Sequence, residues 1–147
     1  MSATVAALFT EGHRLDFIWP ASRSAAEATT GYLSMRDFHK LTVIVMAGAI
    51  GALGTVDCKV VQAQDDAGTG VKDISGKAIT PLDEGDDNSA AVIEVDTSEM
   101  DATNNFDYIN VILSTGGNVA CLTNVLVVRH QPRFSPVDDT NLDEVVA

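Results

Sequence analysis

The sequence predicts an all-β protein: a β-sandwich or jelly-roll-like domain with an extended N-terminal arm and an acidic C-terminal tail. Three observations lead there. Short apolar, β-branched segments recur along the chain, turn signals separate them, and helix-like stretches are scarce. The 147 residues suit one domain with room for an arm or tail, and 46% apolar content is enough to bury a core.

Residues 1–30 are rich in Ala, Ser and Thr, with one apolar patch at Leu15–Pro20 (LDFIWP). Pro20 and the small polar residues behind it argue against a long helix, so this zone is expected as an extended arm. Phe17, Ile18 and Trp19 are its anchor. Alternate side chains of an extended chain face opposite ways, so all three cannot enter one core. At least one is expected to be exposed or to pack on a neighbouring subunit.

Residues 31–134 are expected to form the β-domain. Leu41–Met46 (LTVIVM) is apolar on both faces, as in a central strand or one facing an interface. Leu41, Val43 and Val45 are therefore candidate interface contacts, with Thr42, Ile44 and Met46 on the opposite face. Gly48, Gly51 and Gly54 suit a turn or a bulged hairpin. Thr55–Val61 alternates, with Val56, Cys58 and Val60 one way and Asp57 and Lys59 the other. Gln62–Ala90 is a long polar stretch in which Ile74, Ala78 and Ile79 suggest one short strand. Ala91–Asp96 alternates with Glu94 and Asp96 outward. The following turn is expected to be capped by Asp96 or Ser98. Tyr108–Leu113 and Ala120–Arg129 suggest a hairpin across Ser114–Asn118. Residues 135–147, with Asp138, Asp139, Asp143 and Glu144, are expected as a solvated tail or a strap onto a neighbour.

The charge narrows the partners. Nine bases against 21 acids give a net charge of −12, and residues 57–128 hold thirteen acids and three bases. Such a chain is repelled by nucleic acid and by anionic membrane surfaces. The apolar run Leu41–Leu53 is broken by Gly48 and Gly51 and falls short of the roughly 20 residues of a spanning helix. Met1–Phe9 has no basic start, so no secretory leader is expected. Cys58 and Cys121 are expected as buried thiols, with a single disulfide between neighbouring strands as the minor alternative.

No chemical constellation stands out. His13, His39 and His130 are far apart and in no ligand motif, and no nucleophile elbow or phosphate loop occurs. Asp83–Glu94 matches a calcium loop at its first, fifth and twelfth positions but lacks the third ligand and the glycine. Neither an enzyme, a cofactor nor a metal is expected.

Several segments resemble, in order, a family of small tailed-bacteriophage virion proteins. Gly31–Val45 (GYLSMRDFHKLTVIV) is similar to the family's GDYVSLKNYxKVTVII. Val60–Asp66 (VVQAQDD) with Gly68–Gly70 resembles LxQAxDxxGTG. Ala91–Asp101 (AVIEVDTSEMD) with Asn105–Asp107 is similar to VIEIDADELDVDNGFD. Leu126–Phe134 (LVVRHQPRF) resembles LYILSEPRY, and Arg14–Pro20 (RLDFIWP) resembles RVVDIVP. The motifs are short, and their order and spacing over residues 12–136 carry the likeness. Asn105, where the family often has Gly, and Trp19 depart from it. The resemblance implies a capsid decoration, or cement, protein: a homotrimer on the outer capsid surface of the virion, bound to the major capsid protein and assembled in the host bacterial cytoplasm. A tail or neck component is the alternative within virion proteins. A host-glycan-binding jelly roll is the alternative outside them, and would need exposed aromatics beside Asp or Asn.

Overall fold

The computed structural model describes residues 8–137 and 141–146. After one helical turn, α1 (Phe9–Gly12), the chain forms β1 (His13–Arg23), β2 (Glu27–Thr29), β3 (Leu33–Ser34), β4 (Phe38–Ile50) and β5 (Thr55–Ala63). There follow β6 (Lys72–Ala78), β7 (Leu82–Asp83), β8 (Ser89–Asp96), β9 (Tyr108–Gly116) and β10 (Cys121–Pro132).

The strands make two antiparallel sheets. One has the order β1-β10-β4-β8. The other has the order β2-β9-β5-β6, with β3 also on β9 and β7 also on β5. Counting β2 with β3 and β6 with β7 as single positions, the sheets have the orders 1-8-3-6 and 2-7-4-5, and the chain changes sheet at every step except from position 4 to position 5. That order is a jelly roll.

Alternation in β4 explains the core. Leu41, Val43 and Val45 point between the sheets and are buried, opposite Arg129, Val127 and Val125 of β10. Val56, Cys58 and Val60 of β5 and Ile109, Val111 and Leu113 of β9 meet them from the other sheet. Each fully buried aliphatic side chain of this kind is worth about 1.5–3 kcal/mol.

Three expectations change. Residues 13–29 are built into the sandwich: β1 is the edge strand of the first sheet and β2 pairs with β9, so the sandwich begins well before residue 31. Pro20 is accommodated because it lies at a bulge, where the register shifts between Ile18 and Ala21, on an edge strand that needs no donor there. The segments around Ser114–Asn118 are not a hairpin, because β9 and β10 lie in different sheets. Gly117 makes that crossing at φ +83, and a Cβ there would collide with the Leu53 carbonyl oxygen. Leu41, Val43 and Val45 are interior residues, so the face of β4 open to a partner is the other one.

The long stretch after β5 is more ordered than a loop. It carries β6, with Ile74 buried in the core, and the short strand β7. Asp96 caps the 3-10 turn Thr97–Glu99 by accepting from the Ser98 amide at 2.9 Å. Asn105 adopts φ +63, a left-handed conformation that Asn tolerates in place of Gly. The tail straps its own chain: the Val137 amide donates to the Glu11 carbonyl, and Asn141 Nδ2 donates to the Leu15 carbonyl and to Asp16 Oδ1. Residues 138–140 and 147 of the predicted tail lie outside the described residues.

Candidate functional site

The two outer surfaces of the sandwich differ in chemistry. Outside the second sheet lie Glu27, Thr29, Asp57, Lys59, Asp73 and Ser114, a mainly polar and charged set around Ile112 in which Lys59 pairs with Asp73 at 3.1 Å. Outside the first sheet the register places Ile44 between Leu126 and Val92, and Met46 between Asn124 and Ala90. Phe17 of β1 stands opposite Leu126 on the same side. This second surface is an apolar stripe running across all four strands.

Its side chains are open to solvent to a degree that one chain does not explain. Trp19 is 65% exposed, Val92 55% and Leu122 49%, and Met46 is exposed as well. Contiguous patches of this kind mark contact surfaces, whereas single exposed aliphatics carry no such meaning. The stripe arises because Leu41–Ile50 of β4 and Val125–Val128 of β10 are apolar at nearly every position, so burying one parity leaves the other outside.

The anchor trio divides as an extended strand requires. Ile18 is buried opposite Val125. Phe17 and Trp19 stack on each other, ring centroids 4.5 Å apart and 18° from parallel. The bulge that turns Trp19 outward is tied by Arg23, whose guanidinium donates to the Trp19 carbonyl at 2.9 Å and to Thr123. Asp16, between Leu15 and Phe17, points inward and accepts from the Arg129 guanidinium at 2.8 Å. Arg129 also donates to the Ser34 carbonyl at 2.8 Å, joining both sheets to β1. A shallow pocket of about 190 Å³ lies beside the aromatic pair, lined by Asp16, Phe17, Trp19 and Asn141.

Ionisable groups on the apolar surface gather at one end. Lys40 and Asp96 pair at 2.7 Å, and Lys40, with the Ser98 amide and hydroxyl, holds the Asp96 carboxyl far below its usual range. His13 and His130 stack with ring centroids 5.7 Å apart, and His130 Nε2 lies 2.9 Å from the Thr42 hydroxyl. Burial lowers the His130 pKa, and His13 and Lys40 lower it further. This histidine pair is missed by sequence spacing, because the two residues are distant in sequence and meet only through the β1–β10 register.

The other candidate groups serve the fold. Cys58 and Cys121 are both free and buried, and burial pushes the Cys58 thiol up to about 12. The carboxylates of the calcium-like segment face backbone amides: Asp83 accepts from Gly85, Glu84 from Leu53 and Asp87 from Ile50. Among the described residues no three His, Cys, Asp or Glu side chains converge as a metal site, and no helix is long and apolar enough to cross a membrane.

No protein-family profile matches the chain, and no curated protein sequence matches it. Among solved structures, one similar chain comes from the disulfide-linked pili of Bacillus endospore appendages, with TM-score 0.45 and 13% identity over 88% of this chain and 97% of that one. A chain of infectious bursal disease virus, Gt strain, has TM-score 0.48 and 13% identity over 92% of this chain and 37% of its own length. A chain of broad bean stain virus has TM-score 0.45 and 9% identity over 99% and 98%. Likenesses at this level assign neither a family nor a role.

Proposed function

We propose that this chain is a virion structural protein that decorates the outer face of a tailed-phage capsid. In this reading it acts as a homotrimer, binds the major capsid protein, and is assembled in the host bacterial cytoplasm. The observation that carries the reading is the unlike pair of outer surfaces, one with an apolar stripe across all four strands and its charges gathered at one end, the other mainly polar and acidic. An assembly subunit needs one surface to be covered and one to face solvent. The order of motifs along the chain supports the same assignment. The role is one of binding and not of catalysis. A net charge of −12 suits an exterior position, where like-charged particles stay apart. Repetition over a shell makes individually weak contacts effective.

The test is co-sedimentation of the purified protein with expanded, undecorated capsids. Saturable binding at a fixed ratio per capsid subunit is expected. Absence of binding at high micromolar concentration would overturn the assignment.

One observation favours a second reading, recognition of a host glycan. The stacked Phe17–Trp19 pair beside Asp16 and Asn141 puts an exposed aromatic next to polar groups, as sugar recognition requires. Quenching or enhancement of Trp19 fluorescence by soluble glycans would support it.

A further inference from the structure

We infer that the outer face of the β1-β10-β4-β8 sheet is a self-association surface, and that its occupant is a second copy of this chain. The inference deepens the proposed function by naming the partner of that face.

Charge selects the occupant. Each copy carries −12, so two copies repel unless they meet where acids are absent. Across Trp19, Leu122, Leu126, Ile44, Met46 and Val92 the surface has no ionisable group. Its charged residues lie at one end, where Lys40 and Asp96 are already paired and Glu94 is close by. The opposite outer surface, with Glu27, Asp57 and Asp73, would bring carboxylates together. The apolar face is therefore the side on which two acidic copies can approach.

Area agrees. The β4–β8 register runs from Lys40 to Ala47. Four strands at about 4.8 Å spacing and eight residues at about 3.3 Å span about 19 by 26 Å, or about 500 Å² per copy for the whole face, with the paired Lys40–Asp96 and Glu94 forming its charged rim. Two copies thus bury about 1,000 Å², the lower bound for a specific interface. Trp19, exposed at the β1 edge and backed by Phe17, supplies a large rigid aromatic of the kind that dominates contact energies. Because the contact is apolar and its partners are alike in charge, added salt should strengthen association by screening net repulsion.

The experiment is sedimentation equilibrium of the full chain, wild type against Val92→Glu/Leu122→Glu. Both side chains are about half exposed, so the double variant should fold, which circular dichroism and the urea midpoint verify. The wild type is expected to be oligomeric at about 10 µM, and the variant to associate at least about 100-fold more weakly. A control on the other outer surface, Thr29→Glu, is expected to leave association unchanged. A monomeric wild type, a folded double variant that stays oligomeric, or a control that dissociates equally would each overturn the inference. Capsid binding by a monomer would leave the decoration role standing and remove this one. An oligomer dissolved by the double variant that binds no capsid would do the reverse. A face that meets its own copy closes at two, so a dimer would uphold the face and correct the trimer of the proposed function.

Discussion

Replacing Asp16 with alanine removes the carboxylate that faces the buried Arg129 guanidinium. The Arg129 side chain is 7% exposed and that of Asp16 14% exposed, and their contact is 2.8 Å. Breaking a buried pair by removing one partner costs about 3–5 kcal/mol. Two features favour the lower end. Arg129 keeps its hydrogen bond to the Ser34 carbonyl, and its guanidinium carbon lies 5.3 Å from the centre of the Phe38 ring. Asn141 loses one of its two acceptors as well, which loosens the strap along β1. About 3 kcal/mol in a chain of this length corresponds to a fall in Tm of roughly 6–12 °C. Thermal unfolding by circular dichroism, at one fixed protein concentration, reads it. The double variant Asp16→Leu/Arg129→Met removes both charges and is expected to recover to within about 1 kcal/mol of wild type. If Asp16→Ala lowers Tm by less than about 2 °C, or the double variant is less stable than the single one, the pair does not pin β1 and the reasoning fails.

Two further outcomes are expected. His130 faces His13 on β1, Lys40 and Thr42 on β4 and Glu94 on β8, and its pKa lies below the ordinary value of about 6.5. The neutral ring's contribution is fully present above that value and is lost as pH falls through it toward the lowered folded pKa. The stability advantage of wild type over His130→Gln in urea should therefore shrink between pH 7.5 and 5.5, and an advantage that grows would contradict the assignment. With its pKa raised to about 12 and its side chain buried, Cys58 should resist a thiol reagent in the native protein, as should the buried Cys121. Both should react at once in denaturant, and fast native labelling followed by mass mapping to either residue would refute their placement.

The strands of the core were legible because their alternation is strict. Val56, Cys58 and Val60 on β5 lie on the inner side, and Asp57 and Lys59 lie outside, as the sequence predicts. Pairing was less legible, since alternation is the same whether two strands share a sheet or face each other across the core. That is why Tyr108–Leu113 and Ala120–Arg129 read as a hairpin, while the chain at Gly117 crosses between sheets. The first strand was obscured by Pro20 and by an inward carboxylate. Asp16 reads as solvent-facing until Arg129, 113 residues away, is known to meet it.

The interaction surface was half legible for a related reason. Leu41–Met46 is apolar at five of its six positions, and Thr42 is β-branched, so the sequence requires two covers without saying which parity receives which. A shift of one residue in register would exchange Val43 and Val45 for Ile44 and Met46 at little cost in hydrophobicity. What decides is long-range. Arg129 and Asp16 must both be inside to satisfy each other, Arg129 pairs with Leu41 across the β10–β4 register, and that pairing places Leu41, Val43 and Val45 in the core. Ile44 and Met46 are then left on the outside with Val92, Leu122 and Leu126. The same buried ion pair that holds the edge strand thus selects which half of the apolar strand is offered to a neighbour.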